Sequence, residues 1–404
     1  GYTRAARWAA GKFKEWGLQP LDGKAGYLQS YPSPYTLIDE AAMTLYLPDK
    51  PAQDGQLTFQ KVELKPEKDF LPLLFSDSGN KTGELVFAGW GISAPELNYD
   101  DYAGLEVKGK YVLCFRGTPE PGRAEFQYYD EHRTRMKTAR DKGALGLIYI
   151  YPEVQANPNG DWLPGFMPGM ISDKTAEAIF KEMNSTTSEL KKALQTYHRP
   201  ISFPLKSKLA YSVKSRHFPE GLGYNIVGWV AGSDPELKKE VIIVGGHFDH
   251  CGRHLGLVFP GADDNASGSA VVMTLARAFS TSPVKPKRSI MFVLFGGEEM
   301  GLQGSNYFAE HLPAGFTRVT AMFNFDMEGE GDGAWCGLSA EPPALREAVE
   351  KANQEINIIR GINIIRRVGV RGSDFAPFFA KGMPVVSIGS NGPHLAYHGT
   401  GDTI

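Results

Sequence analysis

Residues 2–18 place Ala6, Ala9, Phe13 and Trp16 at helical spacing, with Gly17 and Pro20 closing the segment, so the chain opens on an amphipathic helix. Short β-type runs follow at residues 42–47, 56–64, 83–87 and 110–115, separated by Gly, Pro, Asn and Asp. That alternation predicts a small β-rich module. Within it, residues 133–142 and 175–197 return to helical spacing. From about residue 209 the texture changes. Apolar strand runs at 224–230, 241–245, 289–295, 319–325 and 384–388 alternate with helical stretches at 266–279, 302–311 and 342–355. Strands and helices in alternation predict an α/β fold, a mostly parallel mixed sheet with helices on both faces.

Composition narrows the classes. The chain has 404 residues, 42% hydrophobic and 22% charged, enough for two cores. Lys plus Arg is 43 against 46 Asp plus Glu, a net charge of -3, so nothing calls for a nucleic acid or an anionic membrane as partner. The longest apolar runs, such as 241–244 and 290–295, are strand-sized and too short for a membrane span. Cys114, Cys251 and Cys336 fit no zinc-finger or disulfide spacing. Gly1 already lies inside helical spacing without an initiator Met, so any signal peptide would precede it.

The candidate chemistry sits where the predicted strands end. In open α/β sheets the loops at the carboxyl ends of the strands converge on one crevice. The run at 241–246 delivers His247 and then Asp249, the run at 289–295 delivers Glu298 and Glu299, and the run at 319–325 delivers Asp326. Asp263 and Asp264 lie on a loop that leads into the helix at 266–279. After the 384–388 run come His394, Tyr397 and His398. Imidazole and carboxylate donors without cysteine are the set a catalytic zinc site uses while keeping a position for water. An i, i+4 histidine pair can chelate zinc, but Pro393 and Gly399 place the 394–398 segment in a loop, which leaves His398 as the candidate. His250 and His254 read as surface or supporting groups, Cys114 as a core residue and Cys251 as a bystander. Asp263 and Asp402 read as loop-ordering carboxylates that accept backbone N–H groups.

The motifs Gly246-His247-Phe248-Asp249, Gly261-Ala262-Asp263-Asp264-Asn265, Glu298-Glu299-Met300-Gly301-Leu302, Asn324-Phe325-Asp326-Met327 and Tyr397-His398 occur in the order found in the di-zinc aminopeptidase family. That family includes bacterial leucyl-type aminopeptidases and glutamate carboxypeptidases, and the chain resembles it closely from residue 224 to 403. The resemblance implies two zinc ions bridged by Asp264, with His247 and Asp326 completing one and Glu299 and His398 the other. It leaves Glu298 as general base, Asp249 as the group orienting His247 and Tyr397 as a donor to the oxyanion. It also implies a cis peptide between Asp264 and Asn265.

Residues 70–151 resemble the protease-associated domain that many members insert, through Phe87-Ala88-Gly89-Trp90-Gly91-Ile92, the run 105–116 and Lys142-Gly143-Ala144-Leu145-Gly146-Leu147-Ile148. The expected division is therefore a catalytic domain from 1–65 and 209–404, with a protease-associated insert at 66–208. The sequence stops at Ile404, just after the His398 motif, where relatives usually continue into a further helix, and the resemblance implies an exported protein.

These features predict a metallo-exopeptidase acting on peptide substrates, an aminopeptidase ahead of a carboxypeptidase or dipeptidase. A free α-amine suits carboxylates such as Glu298 and Asp326, whereas a terminal carboxylate needs Arg or Lys, and Arg371 is the candidate for a substrate contact. A glutaminyl-cyclase-like acyl transferase on the same sheet would use a single zinc. A receptor-like homologue would be expected to lose ligands or the base, and all of them are present here.

Overall fold

A computed structural model describes residues 1–21, 26–49, 57–331, 333, 335–364 and 372–404. The chain divides into two compact units. The first comprises Gly1–Pro34, Glu220–Gly252 and Val258–Ile404, and the second Tyr35–Pro219 with Arg253–Leu257.

The first unit is built on a nine-stranded mixed sheet. Its strands are β1 (Gln19–Pro20), β2 (Leu28–Pro32), β3 (Leu222–Val230), β4 (Glu240–His247), β5 (Ser289–Phe295), β6 (Arg318–Phe325), β7 (Trp335–Glu341), β8 (Gly361–Ile364) and β9 (Val385–Ser390). The spatial order is β1-β3-β5-β4-β6-β9-β7-β8, with β2 also paired to β3. The centre is parallel: β5 with β4, β4 with β6 and β6 with β9. Antiparallel partners flank it.

Side chains alternate across a strand, so each central strand feeds two cores. Val241 and Ile243 of β4 join Met291, Val293 and Phe295 of β5 on one face. There they pack with Phe308 from helix α3 (Gln303–Glu310) and Phe378 from helix α5 (Ala376–Ala380). On the other face Val244, Ile290, Phe292 and Leu294 meet Ala6, Ala9 and Phe13 of α1 (Tyr2–Glu15), and Val272 and Ala276 of α2 (Gly268–Thr281). All seven residues of β5 are buried, which explains why it reads as a continuous apolar run rather than an alternating one. Helix α4 (Pro343–Ile356) packs beside β7 and has no buried residue.

The second unit carries an eight-stranded sheet whose parallel centre is Gly79–Ala88, Tyr111–Phe115, Gly146–Tyr151 and Gly169–Ser172. Two long strands, Tyr35–Pro48 and Ser202–Phe218, pair antiparallel in it. Segments 35–65 and 209–219, expected in the catalytic domain, therefore pack with the second unit. The boundaries fall after Pro34 and Pro219 instead of residues 65 and 208. The helix expected over 175–197 is also two helices, Asp173–Phe180 and Thr187–Tyr197. Asn184 takes a left-handed conformation at the break, and a reciprocal capping box between Thr186 and Glu189 starts the second helix.

Candidate metal centre

Because β4, β5, β6 and β9 run parallel, their carboxyl ends share one edge of the sheet. Register then does the placing. Gly245 of β4 pairs with Asn324 of β6, so two residues further on His247 and Asp326 stand level. His247 itself pairs with Phe295, after which Gly296 and Gly297 turn the chain into Glu298 and Glu299. Gly297 has φ +65, a conformation in which a side chain would be strained.

The loop with Asp264 is held from three directions. Asn265 donates to the Phe325 carbonyl at 2.9 Å and accepts from the N–H groups of Gly268 at 2.9 Å and Met327 at 3.2 Å. Asp402 accepts the N–H groups of Asp263 at 2.7 Å and Asp264 at 3.1 Å, the loop-ordering role read from sequence. The Asp264–Asn265 peptide is cis, as the resemblance implied.

In this frame five predicted side chains converge. His247 Nε2 lies 3.3 Å from Asp264 Oδ1 and 3.3 Å from Asp326 Oδ1. His398 Nε2 lies 3.2 Å from Asp264 Oδ2 and 3.0 Å from Glu299 Oε2. The Asp264 carboxylate thus faces one histidine with each oxygen. Glu298 groups with His247 and Asp326 at ligand-atom separations within 4.8 Å. All but Asp326 and Glu298 are more than nine-tenths buried.

The electrostatics follow from concentrating carboxylates in a dry place. Burial drives Glu298 well above the usual carboxylate range; Glu299, Asp374 and Asp326 push the same way, and His247 opposes them. For Asp264 burial acts upward too, but hydrogen bonds from His247 and His398 overcome it and hold the group below its ordinary value. His247 and His398 are raised: burial disfavours their charge, yet the surrounding carboxylates more than offset it. Such a cluster has the donors, the burial and the excess negative charge to hold divalent cations.

Other expectations are placed differently. Asp249 does sit behind His247, but His247 Nδ1 is 3.1 Å from the Asp249 backbone oxygen and 3.9 Å from its carboxylate. The carboxylate instead accepts the N–H groups of Glu298 at 3.2 Å and Glu299 at 3.4 Å. Tyr397 is 46% exposed and stacks on His398, ring centroids 3.9 Å apart. His394, left out of the ligand set in sequence, does stand outside the five-residue cluster and turns to Asp263 at 2.6 Å. Arg371 lies outside the described residues. Two residues set aside in sequence belong to the site: His250, whose Nδ1 is 2.7 Å from Glu299 Oε1, and Cys251, which groups with His250, Glu299 and His398. Asp374, fully buried and raised to about 7 by burial, is a further carboxylate near His247, Asp249 and Asp326. The only sequence signal for His250 was its place directly after the His247-Phe248-Asp249 run.

Comparisons with known proteins point the same way. Residues 225–404 match Peptidase family M28. An aminopeptidase of Pseudomonas aeruginosa (strain UCBPP-PA14) is 26% identical over 382 residues, covering 89% of this chain and 61% of its own length. Leupeptin-inactivating enzyme 1 of Streptomyces exfoliatus is 31% identical over 167 residues, covering 40% of this chain and 35% of its own. The chain therefore spans less than two thirds of these curated relatives. Among solved structures, an aminopeptidase from Aneurinibacillus sp. strain AM-1 superposes with TM-score 0.66 at 20% identity over 99% of this chain and 82% of its own, which shows a shared fold.

Proposed function

From a chain whose residues 225–404 carry the Peptidase family M28 match, we propose a zinc-dependent exopeptidase that removes residues from the amino end of peptides. The observation that carries this reading is the convergence of His247, Asp264, Glu299, Asp326 and His398 at the carboxyl ends of parallel strands. Asp264, presenting one oxygen to each histidine, would bridge two ions. His247 and Asp326 would complete one and Glu299 and His398 the other. Two zinc ions so held would supply Lewis acidity for the scissile carbonyl and acidify the attacking water.

The chain's own groups do the rest. Glu298, left out of the ligand set and raised by its surroundings, takes the proton of the attacking water and returns it to the leaving amine. Asp249 holds the Glu298 and Glu299 backbone in place. The hydroxyl of Tyr397, whose ring stacks on His398, is the donor available to the developing oxyanion. The carboxylates of Glu298 and Asp326 favour a substrate that presents a free α-ammonium. The second unit, in the same reading, is the protease-associated module.

The test is direct. Purified protein loaded with zinc is given a library of peptides with free and with acetylated amino ends, and metal content is counted per chain. Release of amino-terminal residues from the free peptides only, with two zinc ions bound, is expected. Cleavage confined to carboxyl ends, or none at all, would sink the aminopeptidase reading.

A further inference from the structure

We infer that His250 and Cys251 join Asp264, Glu299 and His398 in the shell of the ion on the Glu299–His398 side, so that this ion is more fully enclosed than the other. The inference rests on the metal-binding reading above and adds to it two ligands from the segment after His247.

His250, Cys251, Glu299 and His398 each offer a donor atom, and the four atoms lie within 4.8 Å of one another. All four side chains are nearly closed to solvent: Cys251 is 4% exposed, Glu299 6% and His398 8%, and the His250 side chain 7%. His250 Nδ1 is 2.7 Å from Glu299 Oε1, while Nε2 of the same ring has no hydrogen-bond partner. A buried imidazole nitrogen left without a partner beside carboxylates is a donor placed to meet a cation. The rings of His250 and His398 stand 5.4 Å apart at 82°, edge to face, so their nitrogens are not wedged apart by stacking.

The backbone makes room for this arrangement. A Cβ on Gly261 would come 2.6 Å from Cγ of His250, so the loop that carries Asp264 admits the His250 ring only because a glycine stands there. Its φ of +69 also favours glycine.

Two imidazoles and a thiolate beside the carboxylates of Glu299 and Asp264 enclose the ion with a soft donor among them, which favours zinc over the harder divalent ions. Binding converts the Cys251 thiol to thiolate, and its proton leaves to solvent as the S–metal bond forms. On the other side His247 faces only oxygen donors. The two ions therefore differ: one is anchored and one is available for exchange and for substrate.

Cobalt(II) reports on this without an activity assay, because a thiolate ligand gives a near-ultraviolet charge-transfer band that oxygen and nitrogen ligands do not. Protein loaded with two cobalt ions is expected to show that band. Cys251→Ser should remove it while leaving visible d–d absorption, and His250→Ala should shift the d–d bands and weaken one ion by about 10- to 100-fold. Thermal melts of each variant exclude unfolding as the cause. Two bound cobalt ions with no near-ultraviolet band would overturn the inference and leave the two-metal reading standing. A single cobalt showing the band would keep the inference and defeat the two-metal reading. A chain that binds no cobalt fails both.

Discussion

Asp249 accepts the backbone N–H of Glu298 at 3.2 Å, and through that bond the end of β4 positions the loop after β5. Removing the carboxylate with Asp249→Ala frees the Glu298–Glu299 backbone and the surroundings of His247 together. A fall of about 10- to 100-fold in kcat/KM, with zinc affinity reduced as well, is expected. Unchanged kinetics would mean that the backbone oxygen, 3.1 Å from His247 Nδ1, suffices.

Glu298 is expected to move protons without holding metal. Glu298→Gln should lower kcat by about 10²- to 10⁴-fold while two zinc ions stay bound. Loss of an ion in this variant would reassign Glu298 as a ligand, a role its grouping with His247 and Asp326 makes worth checking by metal analysis.

Chelation should cost stability as well as activity. Without cations, Glu299 faces Asp264, and Glu298 faces Glu299, Asp326 and Asp374, in a largely buried cluster. A melt of chelated protein should fall below that of zinc-loaded protein, with recovery on readdition. Equal melting temperatures would argue against tight binding at the cluster.

Asn265→Ala deletes a side chain that makes three bonds to Phe325, Gly268 and Met327. A loss of about 1–3 kcal/mol in stability by denaturant titration is expected from the unsatisfied groups left behind, together with a lower kcat because Asp264 is no longer held. Full activity in this variant would show that Asp402 alone orders the loop.

In the second unit, burial pushes Asp101 up to about 7 even though it accepts from the N–H groups of Trp90 and Ile92 and the Tyr99 hydroxyl. Its folded value is above the unfolded one of about 3.9. The folded chain therefore binds the extra proton, and this contribution is present at low pH and lost as pH rises from about 4 through 7. Asp101→Asn mimics the protonated group. The melting temperature of the native chain minus that of the variant should decline across that window, and a flat difference would show the carboxyl titrating normally.

Much of the site was legible because its determinants are local. Each central strand is one apolar run, and the ligand-type residue stands at its end, so His247, Glu299 and Asp326 could be placed before any pairing was known. The unit boundaries were not legible, since the pairing of Tyr35–Pro48 with Ser202–Phe218 joins segments far apart in the chain and no short-range pattern announces it. β7 and β8 escaped for another reason: β7 is interrupted by Gly337 and Ser339 and lies toward the sheet edge, where the apolar signal fades. The break near Asn184 was visible as Thr186 followed by Glu189, but the helical spacing on either side masked it. Of the two places read for His250, surface or supporting, the structure takes the supporting one, and the close approach of Gly261 that accompanies it is something spacing cannot reveal.

The bonds from the Asp263 and Asp264 amides to Asp402 reach across 139 and 138 residues of sequence, and His398 lies beside them. Ribosomes deliver chains from the amino end. While residue 402 is still inside the exit tunnel, the Asp264 loop has no latch and its His398 neighbour is not yet in place. A nascent chain that already displays His247, Glu299 and Asp326 therefore lacks the assembled cluster until synthesis has passed residue 402.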